Sequence, residues 1–344
     1  MRVLLIKMSS LGDVIHALPA VSDAHARGIR FDWVVEEAFA AVPARHPGVD
    51  NVLPISWRRW RGDLLAHRFE LGAFVKKLRS ERYDLILDAQ GLLKSSVVLA
   101  LSRGTLKAGF STATAREGAA AAFYNRRIPV AVGQHAIDRQ RQLFAAALGY
   151  ELDHNAAADY RIAMDVSPSN TCVLLHGTTW SSKRWPEDMW VELARLAAGA
   201  GYRVALPWGD EIERATAERI ANVTEAEVWD RVPLSELAHR LEKSGLAIGV
   251  DSGLAHLSAA LNVPTLVMYG STDSALTGCR GSNVVIAQAD FPCAPCLKRT
   301  CRYQGMPQYW RDQVISPACH SRLTPEGIWQ LAQETFNADR VLPV

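Results

Sequence analysis

The sequence predicts an α/β protein made of two Rossmann-like domains, each a doubly wound parallel sheet flanked by helices. Three observations carry that prediction. At 344 residues the chain is too long for one ordinary core and suits two domains of about 150–180 residues. Strand and helix signals alternate through both halves, the pattern of parallel strands joined by crossover helices. Each half also contains an apolar strand that ends in a small polar turn and runs into a helix. These are Lys7-Met8-Ser9-Ser10-Leu11-Gly12-Asp13 and Ile248-Gly249-Val250-Asp251-Ser252-Gly253-Leu254-Ala255-His256.

In the first half, strands are expected at 2–8, 31–37, 84–88 and 107–110. Helices are expected at 13–27, interrupted by Pro19, and at 70–80, 92–102, 115–124 and 135–148. Within 70–80, Leu71, Phe74, Val75 and Leu78 share one helical face. Residues 151–170 are weakly patterned and read as the linker, dividing the chain into domains 1–160 and 161–344. In the second half, strands are expected at Cys172–His176, Arg203–Leu206, Ala226–Trp229, Leu246–Val250 and Thr265–Tyr269. The helices between them are Pro186–Ala198, Glu211–Ala221, Leu234–Ser244 and Gly253–Leu261. Residues 270–320 read as loop. A last helix, Pro325–Phe336, follows Thr324 as N-cap and is expected to pack back on the first domain.

Composition narrows the function class. Hydrophobic residues make up 49% of the chain, enough for two cores, yet no apolar run nears the ~20 residues that cross a bilayer. The strand pattern Val3-Leu4-Leu5-Ile6 leaves no room for a signal peptide, so a cytoplasmic protein is expected. Charge is uneven: residues 1–160 hold 21 Lys+Arg against 16 Asp+Glu, which suits an anionic partner for that half. Cys293 and Cys296 have the spacing of half a zinc site. Pro292, Pro295 and the wide spacing to Cys301 and Cys319 fit such a site badly, and reduced thiols are the expectation.

The motifs fall at or just beyond strand ends, where open α/β sheets bind ligands. The Ser9–Asp13 turn has one glycine and no G-x-G-x-x-G, so a dinucleotide fingerprint is absent. Asp13 reads either as a helix cap or as a carboxylate that accepts a proton from a substrate hydroxyl. Thr178, Thr179 and Lys183 follow a strand and precede Trp185-Pro186, which opens a helix; hydroxyls and a lysine so placed suit a diphosphate. Asp251, Ser252, Gly253 and His256 form the second turn, whose first-turn N–H groups lack intrahelical partners and favour an anion. Glu213 and Trp208 stand after another strand, suiting a ribose diol and an apolar face, or equally a helix-terminal charge and a packing residue. Arg58, Arg59 and Arg61, interleaved with Trp57 and Trp60, together with Arg116, Arg126, Arg127, Arg139 and Arg141, suit an acidic lipid head group better than nucleic acid.

Taken together these motifs resemble the bacterial lipopolysaccharide heptosyltransferases of glycosyltransferase family nine. The resemblance runs through Lys7–Asp13, Phe31–Glu37, Asp88–Leu92, Thr114–Glu117, Phe123–Arg126, Lys183–Pro186, Leu206–Gly209 and Val250–His256. The Arg58–Arg61 and Thr114–Glu117 blocks are similar to the branch that adds the first heptose. The Pro292–Cys301 block is similar to the branch that adds the second. The resemblance implies a GT-B architecture with an interdomain cleft. It also implies inverting transfer of L-glycero-D-manno-heptose from ADP-heptose to Kdo2-lipid A, with the enzyme peripheral on the cytoplasmic face of the inner membrane. It makes Asp13 the general base and Lys183 the stabiliser of the leaving diphosphate. Thr178, Thr179, Glu213, Trp208, Met268, Asp251, Ser252, Gly253 and His256 become donor contacts. Lys7, Ser9, Ser10, Arg58, Arg59, Arg61, Arg116 and Arg139 become acceptor contacts. No Asp-x-Asp motif is evident, so no cofactor and no essential divalent metal are expected. Another nucleotide-sugar transferase on the same architecture and a non-catalytic binding protein are the rivals.

Overall fold

The computed structural model describes residues 1–336, which divide into two compact units, 1–162 and 163 onward. In unit 1 the order is β1 (Arg2–Ile6), α1 (Leu11–Ile15), α2 (Leu18–His25), β2 (Arg30–Glu36), β3 (Val49–Ile55), α3 (Trp57–Trp60) and α4 (Arg68–Leu78). It continues with β4 (Tyr83–Asp88), α5 (Leu93–Leu101), β5 (Gly104–Phe110), β6 (Arg126–Ile128) and α6 (Ala136–Leu148). All strands pair in parallel, in the order β3-β2-β1-β4-β5-β6.

Unit 2 repeats the plan. Its elements are β7 (Thr171–Leu175), α7 (Glu187–Gly199), β8 (Arg203–Leu206), α8 (Glu211–Ala221), β9 (Glu227–Val228), α9 (Leu234–Glu242) and β10 (Leu246–Val250). Then come α10 (Gly253–Ala260), β11 (Thr265–Tyr269), α11 (Ser274–Thr277), β12 (Val284–Gln288), the short hairpin β13 (Tyr309–Trp310) and β14 (Gln313–Val314), and α12 (Pro325–Phe336). Its parallel sheet runs β12-β11-β10-β7-β8-β9, the same topology read from the other edge. In each unit the first and fourth strands lie side by side where the winding reverses, so the loops after β1 and β4, and after β7 and β10, flank a topological switch point.

The central strands form because they are apolar on both faces. Val3, Leu4, Leu5 and Ile6 of β1, and Leu246, Ala247, Ile248 and Val250 of β10, are buried, as covered parallel sheets require. α4 buries Phe74 and Leu78, with Leu71 and Val75 partly buried against the same core. α12 packs on α7, with Trp329 edge-on to Tyr202 at 6.0 Å, and Thr324 accepts the Gly327 N–H at 3.2 Å.

Departures from expectation have local causes. The 13–27 helix is two helices, α1 and α2, with Pro19 in the first turn of the second, where its missing N–H costs nothing. The 115–124 helix is only a 3₁₀ turn over Gly118–Phe123. There the Glu117 N–H is spent on Gly91 O at 2.9 Å and its carboxylate accepts the Leu93 N–H at 2.7 Å, tying the Thr114–Glu117 block to the loop after β4. β3, β6 and β12 carry weak strand signals, and β3 contains Asp50, Asn51 and Pro54; all three are sheet edges, where such residues are tolerated. The Trp-Arg segment forms a short helix. Trp60 enters the core against Phe74 at 5.7 Å, so its ring is not offered to a membrane interface.

Candidate functional site

Unit 1 gathers its polar residues at the ends of β1 and β4. Lys7, 5% exposed, donates from Nζ to Ala89 O at 3.0 Å and stands 3.9 Å from Asp13 Oδ1. Asp13 Oδ2 accepts both the Ser10 N–H and the Ser10 hydroxyl, each at 2.9 Å. The two readings of Asp13 are therefore compatible: one oxygen caps α1, and the other stands towards Lys7 on a side chain one-third exposed. Burial would raise the Asp13 pKa, but the Lys7 charge and the two Ser10 contacts outweigh it and hold the carboxylate ionised. Lys7 is lowered, chiefly by burial, with Asp13 and Asp88 opposing and the charges of Arg116 and Arg139 adding to the depression.

The Ser9–Ser10 turn is held from behind by a residue that sequence reasoning missed. Gln90 Oε1 accepts the Met8 and Ser9 N–H groups at 2.8 and 3.1 Å, and its Nε2 donates to Ser9 O. Gln90 is in turn fixed by the fully buried Asp88, which accepts the Gln90 and Gly91 N–H groups and the hydroxyls of Ser95 and Tyr124. Burial raises the Asp88 pKa against those four hydrogen bonds. Lys94 was also missed. Its Nζ donates to Ser9 Oγ at 2.8 Å, and it feels the charges of Glu36, Arg58, Asp13 and Arg116 after a downward shift led by burial. Its available signal was position, three residues past Gly91 in the first turn of α5.

The arginines separate. Arg116 is exposed beside the cluster, and Arg139 donates to Thr114 O at 2.8 Å and lies over Phe110 at 5.1 Å. Arg139 Nε is buried without a hydrogen-bond partner, and burial lowers its pKa. Arg58 is exposed and lies over Phe39. Arg59 is ion-paired within the fold. It is engaged by Glu70 at 2.7 Å and Glu37 at 3.7 Å, so its charge is already answered within the fold. Arg61 is exposed on the turn beyond α3. Arg126 donates to Ala146 O and Ala147 O, and Arg141 is bound to Asp23 at 2.6 Å.

Unit 2 builds its site at the ends of β7 and β10. Lys183 Nζ meets Asp251 Oδ2 at 2.6 Å, with the two side chains 17% and 7% exposed. The same oxygen accepts the Thr272 hydroxyl at 2.7 Å; Oδ1 stands 3.5 Å from His256 Nε2. His256 Nδ1 lies 3.2 Å from Cys279 Sγ, and Cys279 N–H donates to the buried Tyr269 hydroxyl at 2.9 Å. Burial opposes charge on both His256 and Asp251. For Asp251, His256 and Lys183 outweigh it and hold the carboxyl far below its ordinary range. For His256, Cys279 and Asp251 outweigh it and raise the pKa to about 10. Lys183, Asp251 and His256 thus stand together at the start of α10. Ser252 caps that helix by accepting the Ala255 N–H at 3.3 Å, and Gly253 is its first residue. Thr178 donates to Asp251 O at 3.3 Å, while Thr179 beside it is exposed. Lys183 also lies 4.6 Å over Trp180.

Glu213 reaches the same strand ends: its carboxylate accepts the Gly209 N–H at 2.8 Å and would lie 2.5 Å from a Cβ on residue 177, so a larger residue there would push this side chain aside. Trp208 is tied to Trp229 O at 2.8 Å and covered by Arg214 at 5.4 Å. Met268 turns its side chain into the core of unit 2. It is 2% exposed and packs in the core because it sits on the inward face of β11; only its carbonyl serves the site, accepting the Asp251 N–H at 3.1 Å. Thr272 and Cys279 were missed because they follow β11 in a segment read as plain loop. All six cysteines are free thiols, and among the described residues no group of three or more His, Cys, Asp or Glu is placed to hold a metal ion.

Each unit thus gathers polar residues at the ends of its first and fourth strands, and comparison with known proteins names the family. The model of glycosyltransferase family 9 (heptosyltransferase) matches residues 71–306. The chain belongs to glycosyltransferase family 9. This family 9 enzyme is 46% identical to lipopolysaccharide heptosyltransferase 1 of Pseudomonas aeruginosa, over 95% of this chain and 96% of that protein. It is 42% identical to lipopolysaccharide heptosyltransferase 1 of Escherichia coli K12, over 84% and 94%. By contrast, sequence similarity to the E. coli heptosyltransferase 2 spans 28% of this chain, at 33% identity. Among solved structures, E. coli heptosyltransferase WaaC with ADP superposes with a TM-score of 0.84 at 38% identity, covering 97% of this chain and all of that one. WaaC has also been solved with ADP-2-deoxy-2-fluoro heptose. The extent of these likenesses sets aside the second-heptose similarity of the Pro292–Cys301 block.

Proposed function

We propose that this enzyme transfers L-glycero-D-manno-heptose from ADP-heptose to Kdo2-lipid A, the first heptose addition to the lipopolysaccharide inner core. The observation that carries the reading is the Lys183–Asp251–His256 cluster at the N-terminus of α10, a built receptor for a diphosphate at the switch point of unit 2. The similarity to heptosyltransferase 1 proteins over most of the chain supports the sugar and the acceptor.

The chemistry is a single displacement with inversion. The acceptor hydroxyl oxygen attacks the anomeric carbon, the bond from that carbon to the β-phosphate oxygen breaks, and ADP leaves with the electron pair. Asp13 Oδ1 receives the hydroxyl proton; the carboxylate is suited to this because Lys7 and Ser10 keep it ionised. Charge developing on the leaving diphosphate is met by Lys183, the α10 N–H groups with Ser252 and Gly253, and the hydroxyls of Thr178 and Thr179. Glu213, beside Gly177, is positioned to accept from a ribose diol. On the acceptor side Lys7, Lys94, Arg58, Arg116 and Arg139 concentrate positive charge suited to acidic sugars and phosphates. Lys183 and the helix terminus supply the electrostatic role that a divalent cation plays in other transferases, so activity is expected to survive a chelator. A lipid acceptor places the work at the cytoplasmic face of the inner membrane.

The test is ADP release from ADP-heptose with and without delipidated Kdo2-lipid A. Release that requires this acceptor supports the reading. Release only with an already heptosylated acceptor would assign the second transfer, and silence with both would remove the substrate assignment.

A further inference from the structure

We propose that residues 61–69 form an amphipathic hook that docks this enzyme on an anionic lipid surface, with Leu64, Leu65 and Phe69 entering the interface and Arg61 and Arg68 gripping the head groups. This deepens the lipid-acceptor reading and rests on it. Leu65 and Phe69 are 78% and 76% exposed and Leu64 is 52% exposed, three large apolar side chains offered to solvent within six residues. Phe69 is not a stray member of the α4 core stripe. At ~100° per residue it lies roughly 170° around the helix from the centre of the Leu71, Phe74, Val75 and Leu78 stripe, on the same face as Lys76.

The hook is braced from beneath by hydrogen bonds and an ion pair. Trp60 is buried and donates to Glu70 Oε2 at 3.1 Å, and Arg59 clamps the same carboxylate. Asp63 Oδ1 accepts the Ala66 N–H at 2.9 Å and Arg68 donates to Leu65 O at 3.0 Å, so the turn is closed with its apolar side chains outward. Arg68 also lies 4.5 Å over Phe69, a pairing in which the guanidinium stays wet while the ring enters an apolar layer. Charge names the occupant. Residues 56–79 contain seven Lys+Arg against two Asp+Glu, which attracts acidic head groups and repels an identical surface on a second copy. Among the described residues no helix is long and apolar enough to cross a membrane, so attachment would be at the surface.

The experiment compares the full-length wild type with the Leu65→Ser/Phe69→Ser double variant, neither residue belonging to the catalytic or binding machinery. Flotation with vesicles of phosphatidylcholine alone, or mixed with phosphatidylglycerol, is read beside ADP release on the delipidated acceptor and on Kdo2-lipid A in vesicles. The wild type should bind the phosphatidylglycerol vesicles selectively. The variant should lose about tenfold or more in binding and in turnover on vesicle-borne acceptor, while keeping its melting temperature and its turnover on the delipidated acceptor. Equal flotation of both proteins, or no preference for phosphatidylglycerol, overturns the proposal. So does a wild-type dimer that the double variant dissolves, because the patch would then belong to a second copy. Flotation needs no turnover, so failure of the hook and failure of the substrate assignment are read separately.

Discussion

Replacing Asp13 by Asn tests the centre of the mechanism with minimal change of shape. Asp13 uses Oδ2 for two Ser10 contacts at 2.9 Å and presents Oδ1 towards Lys7 at 3.9 Å. An asparagine keeps the cap only by turning its carbonyl to Ser10, which points its NH₂ at the Lys7 ammonium and leaves no basic atom for the substrate proton. The structural cost is small: losing a carboxylate from a helix first turn costs about 0.3–1 kcal/mol. The catalytic cost is large: loss of a positioned general base is worth about 10²–10⁴ in rate, or roughly 2.7–5.5 kcal/mol of barrier. ADP binding should be unchanged, because the residues assigned to the diphosphate belong to unit 2. The assays are ADP release under saturating donor and acceptor, and calorimetric titration with ADP. The acid limb of wild-type kcat/KM should lie below the ordinary carboxylate range, as the lowered Asp13 pKa requires. Asp13→Asn turnover within a few-fold of wild type, with ADP affinity intact, would refute the general-base assignment.

Two further outcomes follow from unit 2. Lys183→Met removes the cation that pairs with Asp251 at 2.6 Å and should lower kcat/KM by about 10²–10³, mostly through the donor; unchanged donor kinetics would detach Lys183 from the diphosphate. His256, with its pKa raised to about 10, contributes stability that is complete below its unfolded value near 6.5 and is lost as pH rises through about 10. Cys279→Val takes away the sulfur 3.2 Å from that ring and should start the alkaline loss of melting temperature at lower pH, with Cys279→Ser intermediate; superimposable pH profiles would count against the His256–Cys279 pairing.

Much of the fold was legible because central parallel strands advertise themselves. Arg203–Leu206, Leu246–Val250 and Thr265–Tyr269 are short apolar runs bounded by breakers and occur as expected. Edge strands do not: Val49–Ile55 carries Asp50, Asn51 and Pro54 because one of its sides pairs with nothing. Candidate residues just beyond strand ends, such as Asp13, Lys183 and Asp251, were singled out for the same positional reason. Gln90, Lys94, Thr272 and Cys279 were not, since an ordinary polar residue acquires a role only from the neighbour that the fold brings to it.

Local order therefore determined the double α/β plan, the two strand–turn–helix loops and the residues offered there, because hydrophobic period and turn chemistry act over a few positions. Tertiary structure alone decided which offers were taken up. It turned Met268 and Trp60 inward to complete cores, and it spent Arg59 on Glu70 and Glu37. It also drew Lys183, Asp251, Thr272, His256 and Cys279 from separate loops into one hydrogen-bonded cluster. Burial and charge pairing depend on distances across the sheet, and those distances exist only once the chain has closed.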